Sequence, residues 1–226
     1  MHDLILRGGT VVDGTGAPAR TADVAVTGGE ITAVGRDLGS AQQTVDADGL
    51  LVTPGWVDIH THYDGQATWD ADMAPSLWHG VSTVVMGNCG VGFAPATPDR
   101  HRWLIGLMEG VEDIPGKSLA EGMPWDWETF GEYLDSLARL PRTLDVGAML
   151  SHGAVRAYVM GNRGANNEEA TPEDIAAMAA VVGDGMAAGA LGFSSSRTLI
   201  HCSVDGEPVP GTYASEEELV ALAKAV

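Results

Sequence analysis

Basic charge is scarce in this chain. Lys and Arg together number 12 against 31 Asp and Glu, a formal net charge of −19 at pH 7. Such a surface repels phosphate backbones and anionic lipid, so neither nucleic acid nor a membrane is expected as a partner. Cysteine is almost missing, with Cys89 and Cys202 alone. That excludes a disulfide-stapled secreted scaffold and leads us to expect a reducing, cytoplasmic setting. No apolar run reaches the roughly 20 residues needed to span a bilayer. The opening Met1-His2-Asp3 carries an early acid and only a short apolar stretch before Gly8-Gly9, unlike a signal peptide. Heptads, tandem repeats, a Walker loop and a complete dinucleotide fingerprint are all lacking.

What is present is enough apolar material for a core: 45% of 226 residues are hydrophobic. Residues 1–54 read as a small β domain, with short strands expected at 4–7, 10–12, 23–26, 31–34 and 44–45 separated by Gly-rich turns. Gly28-Gly29 stands between two Val/Ile-rich runs, as a tight hairpin requires. From residue 55 to 226 the pattern changes to strands alternating with amphipathic helices, which is α/β grammar. Strands are expected at 56–59, 82–86, 144–150 and 190–193, and helices at 101–109, 127–140, 172–188 and 215–225. Thr171-Pro172-Glu173-Asp174 combines an N-cap, a first-turn proline and first-turn acids. Ser215 with Glu218 has the spacing of a capping box. Four strand–helix units cannot close an eight-stranded barrel, so the chain is expected to be incomplete. A smaller, complete α/β sandwich is the alternative.

The chemistry concentrates at two strand ends. In Pro54-Gly55-Trp56-Val57-Asp58-Ile59-His60-Thr61-His62, a period of two puts His60 and His62 on one side, with Asp58 there in an orienting role. Neutral imidazoles suit zinc and related ions; alternatively, the two rings simply hydrogen-bond at a strand end. Val84-Val85-Met86-Gly87-Asn88-Cys89-Gly90 runs an apolar strand into a Gly-rich turn presenting one thiol. Cys89 reads as a metal-binding thiolate, a small buried hydrophobe or, least favoured, a nucleophile.

Residues 4–16, 46–49 and 54–55 together with His60-Thr61-His62 resemble the opening of the amidohydrolase superfamily. Within it, Gly87-Asn88-Cys89-Gly90-Val91-Gly92-Phe93-Ala94-Pro95 and Glu109-Gly110-Val111-Glu112-Asp113-Ile114-Pro115 resemble the D-aminoacylase or N-acyl-D-amino-acid deacylase branch. The resemblance implies an α/β fold: an incomplete TIM-like metallohydrolase barrel, preceded by part of a small β-sandwich built from both chain ends. It implies Zn(2+) held by His60, His62 and Cys89. It also implies hydrolysis of an N-acyl amino acid or related small amide, with two further histidines and a late aspartate supplied beyond Val226. Other amidohydrolases bridge two metals with a carboxylated lysine, but Lys117 and Lys224, the only lysines, end no apolar strand.

The remaining candidates carry less. His152 is expected at a strand end, either touching substrate or giving hydrogen-bonded support. His201 and Cys202 fall on a loop. Ser194-Ser195-Ser196-Arg197 is read evenly as a carboxylate-binding strand end or a solvated turn. Trp125 and Trp127 are expected to pack together at a helix start. Two rival functions stand: hydrolysis of a cyclic amide by the same metal chemistry, and an inactive truncated chain acting by protein association or self-association.

Overall fold

The computed structural model describes residues 1–226, which fall into two compact units, Met1–Gly55 and Trp56–Val226. The first unit is built from β1 (His2–Val11), β2 (Arg20–Thr27), β3 (Glu30–Gly35), β4 (Ala41–Asp46) and β5 (Leu51–Val52). These form one sheet in the order β3-β2-β1-β4, with β5 also pairing β1. Gly28 and Gly29 both adopt positive φ, which supplies the two-residue turn that pairs Thr27 with Glu30. One side of the sheet buries Val11, Ala22 and Val24, with Leu6 and Val52 packed on them. One expectation is corrected here. Gly8-Gly9 is no turn but an irregularity inside one long strand, where register shifts between Leu6 and Gly9 and the Gly8 N–H donates to Asp23 Oδ1 at 2.9 Å.

The second unit contains β6 (Trp56–Asp58), β7 (Val81–Met86), β8 (Asp145–Ala148), β9 (Leu150–Ser151) and β10 (Phe193–Ser194). β6, β7 and β8 pair in parallel in that order, and β9 pairs β10 in parallel. The third expected strand therefore breaks at Met149. The Met149 N–H turns to the Met86 carbonyl while Leu150 N–H bonds Gly192 and Leu191 N–H bonds Ala148, each at 2.9 Å. The sheets stay open, as in an incomplete TIM-like barrel.

Helices α1 (His101–Glu112), α2 (Gly116–Gly122), α3 (Phe130–Arg139), α4 (His152–Met160), α5 (Asn162–Ala165), α6 (Pro172–Ala188) and α7 (Glu216–Ala225) complete the unit. α1 buries Leu104, Leu107 and Met108, a spacing that lines one helical face. They join Val84, Met86, Leu150, Val155, Met178, Val182 and Leu222 in one core. α2, α4 and α5 lie outside the expected set. α3 starts at Phe130 rather than 127 because Thr129 caps it, with Glu132 closing the box. Ahead of it, Trp127 is 5.4 Å from Trp125 and 5.0 Å from Tyr133 between ring centres, a packing cluster. No helix is long and apolar enough to cross a membrane.

The start of α6 follows from its sequence. Thr171 accepts from the Asp174 N–H, and Asp174 reaches back to the Thr171 N–H. A hydrogen bond from Arg163 and the one from the Thr171 backbone hold the Asp174 carboxyl down at about 2. Thr171→Ala is expected to cost about 1 kcal/mol, lowering the melting temperature by roughly 2–4 °C for a chain of this size. Because the Asp174 pKa is depressed on folding, its contribution is whole above 3.8 and fades as pH falls towards about 2. Thermal melts of wild type and variant at neutral pH check the cap.

Candidate metal centre

The mouth of β6 and β7 is assembled by one local hydrogen bond and by several that tie the two strand ends together. Asp58, the last residue of β6, accepts the His60 backbone N–H at 3.1 Å. Thr61 then crosses to the neighbouring strand, its N–H and hydroxyl both donating to the Val85 carbonyl at 2.9 Å. The buried Asn88 amide donates to the Val85 and Thr61 carbonyls, so the peptide between the two histidines is clamped from the cysteine turn. His60 and His62 consequently flank the β7 end with ring centres 5.5 Å apart.

The turn carrying Cys89 is bent tightly. Gly87 has φ +81°, and a Cβ there would strike the Met149 carbonyl, so only glycine fits. Cys89 itself sits at φ +54°, an uncommon conformation for a side chain. Neighbours hold it from outside: Ser194 accepts the Gly90 N–H at 3.1 Å and donates to the Gly87 carbonyl, and Gly153 N–H donates to the Gly90 carbonyl at 2.9 Å.

His60 Nε2 lies 3.2 Å from Cys89 Sγ, and one donor atom each from His60, His62 and Cys89 falls within 4.8 Å of the others. His60 is exposed, while His62 and Cys89 are half-buried. Burial, with help from His60 and His201, pushes His62 down to about 4, leaving its ring neutral with a lone pair to give. The Cys89 thiol is raised by burial and then by Glu112 and Asp64. Burial pushes Asp64 up to about 7 against hydrogen bonds from its own N–H and that of Gly87, with Glu112 raising it further. Glu112 is raised by burial as well, opposed by His60. Neither a lysine nor an arginine figures in these three shifts. A thiol that can ionise onto a metal and a neutral imidazole, with the carboxyls of Asp64 and Glu112 nearby, fit a borderline divalent cation.

The other candidates are placed elsewhere. His152 does not end a strand: it opens α4 and is fully buried. Its Nδ1 meets Ser195 Oγ at 2.9 Å and its Nε2 meets Glu218 Oε1 at 2.8 Å. Glu218 is therefore not the second arm of a capping box. Ser215 caps α7 alone, and the Glu218 carboxylate turns inward to His152 and Arg156. Ser196 Oγ is 3.3 Å from His201 Nδ1, and Arg197 donates to the Ala214 carbonyl at 2.9 Å, so the hydroxyl-and-cation strand end has internal partners. Cys202 bonds the Leu199 carbonyl at 3.5 Å.

One residue escaped the sequence reading. Helix α1 runs past the expected residue 109 to Glu112, whose Oε1 comes within 3.2 Å of His62 Nε2. Its only signal was membership of the 109–115 stretch that carries the resemblance.

The amidohydrolase family model matches residues 43–226, and the chain belongs to the amidohydrolase family. Its likeness falls in the D-aminoacylase and N-acyl-D-amino-acid deacylase branch. D-aminoacylase of Alcaligenes xylosoxydans xylosoxydans is 39% identical over 223 residues, covering 98% of this chain and 41% of the relative. A crystal structure of D-aminoacylase, described as defining a novel subset of amidohydrolases, superposes with a TM-score of 0.77 at 37% identity, over 100% of this chain and 43% of that one. The zinc and phosphonate complex of N-acyl-D-glutamate deacylase from Bordetella bronchiseptica gives 0.75 at 29% identity, over 99% and 42%. The chain thus spans about two fifths of the length of these relatives.

Proposed function

We propose that the full-length protein is a zinc-dependent hydrolase of a non-peptide C–N amide bond that deacylates N-acyl-D-amino acids to a D-amino acid and a carboxylate. The observation that carries this reading is the convergence of His60, His62 and Cys89 at neighbouring strand ends, in a chain whose relatives include a D-aminoacylase. His60, His62 and Cys89 would hold the ion. A zinc ion there supplies Lewis-acid polarisation of an acyl carbonyl and acidifies water.

The protein's own part is to fix that ion and shape its surroundings. None of the three donors is assigned a proton-transfer role. His152 is fully buried, with Nδ1 on Ser195 and Nε2 on Glu218, and is read as hydrogen-bonded support.

Purified full-length protein, stripped with chelator and reloaded with zinc, should hydrolyse an N-acetyl-D-amino acid. It should act much more slowly on the L enantiomer and leave hydantoin intact. Turnover of hydantoin alone would replace this reading with cyclic-amide hydrolysis, and turnover that survives complete metal removal would end the metal assignment.

A further inference from the structure

Glu112 is hard to explain as an ordinary helix residue. It occupies the last position of α1, where the helix dipole opposes a carboxylate. The last turn contains no basic side chain to compensate, and Asp113 follows directly. The side chain is only 19% exposed and its salt-bridge distance is to His62, 3.2 Å away. No lysine or arginine pairs with Glu112, whose salt-bridge partner is His62; a bound divalent ion would balance the carboxylate. With one thiolate on the ion the centre keeps a net positive charge, and one carboxylate brings it to zero, the state least costly to bury.

We propose that Glu112 supplies a carboxylate oxygen to the metal centre on its His62 side, beside the donors His60, His62 and Cys89. The proposal rests on the metal reading above. Nε2 of His62 and Oε1 of Glu112 face one another across a gap suited to two donors of one cation, since ligands at about 2.0–2.2 Å from zinc in tetrahedral array lie a little over 3 Å apart.

The test is cobalt(II) titration of the full-length protein by absorbance, with chelator competition for affinity, on wild type, Glu112→Gln, Glu112→Asp and Cys89→Ser. Wild type should show a thiolate-to-cobalt charge-transfer band that Cys89→Ser loses. Glu112→Gln, which keeps size and a hydrogen-bond acceptor, should weaken binding at least tenfold and shift the ligand-field bands, whereas Glu112→Asp should retain more of the affinity. Wild-type affinity and spectrum in Glu112→Gln, with the charge-transfer band intact, would overturn the Glu112 assignment alone. No cobalt binding by wild type would overturn the metal reading itself. Circular dichroism melts of each variant keep misfolding from passing as lost affinity.

Discussion

Cys89→Ala is expected to abolish tight metal binding and with it metal-dependent turnover, while leaving the fold close to native. The thiol is half-buried and its only side-chain partner is His60, so truncation to alanine removes little packing. The backbone of its turn is held by Asn88, Ser194 and Gly153, none of which needs the sulfur. What disappears is the soft, charged donor. Since losing even an outer-shell partner of a metal ligand costs about 10–100-fold in affinity or activity, losing this donor should cost more. Metal content by mass spectrometry after dialysis, read beside turnover, is the measurement. A variant that retains both stoichiometric metal and wild-type turnover would remove Cys89 from the centre.

Glu218→Ala should produce the largest loss of stability of any single change considered. Arg156, His152 and Glu218 are each at most 2% exposed. Arg156 NH1 meets both carboxylate oxygens at 2.5 and 2.6 Å, and its NH2 donates to the Glu168 carbonyl. Burial alone would raise the Glu218 pKa, but hydrogen bonds from His152 and Arg156 and the guanidinium charge hold it below 4.5. An ionised Glu218 only accepts, so the neutral imidazole donates Nε2–H to it and accepts a hydrogen bond from the Ser195 hydroxyl at Nδ1. Removing the carboxylate strands a buried guanidinium, for which about 3–5 kcal/mol is the usual cost. At roughly 2–4 °C per kcal/mol for this size, the melting temperature should fall by about 6–20 °C. An unchanged melting temperature would show the network to be dispensable.

The same network makes the wild type acid-sensitive in two stages. His152 is lowered from 6.5, chiefly by burial and against the pull of Glu218. The unfolded chain therefore takes up a proton near 6.5 that the folded chain refuses, and stability falls as pH drops below that value. Glu218 adds its part above 4.5 and loses it as pH falls through its depressed folded value. In Glu218→Ala the second stage should vanish.

Much of this molecule was legible locally. The Gly28-Gly29 hairpin, the Thr171 cap and the first two barrel strands follow from conformational preference and period, which operate over a few residues. The third expected strand, by contrast, breaks at Met149, and the fourth, expected at 190–193, forms only at Phe193–Ser194. His60 and His62 were singled out by their spacing, but they lie just past β6, where bonds to Asp58, Val85 and Asn88 hold the segment. The strand-and-turn pattern singled out the thiol of Cys89 but left its role open, and the resemblance added the family and the metal-binding reading.

Long-range placement was another matter. His152 looked like a strand terminus because the apolar run ahead of it is a strand. Its burial and its bond to Glu218, 66 residues away, exist only once α7 packs against α4 and α6. Ser194 reaches the cysteine turn from 104 residues on. Glu112 meets His62 because α1 continues one turn further than its glycine at 110 suggested. Sequence by itself determined which short segments are strands, caps and candidate donors, since those depend on near neighbours. Only the tertiary structure decided which donors share a site and which polar groups are buried together, because those depend on packing between elements whose spacing along the chain carries no signal.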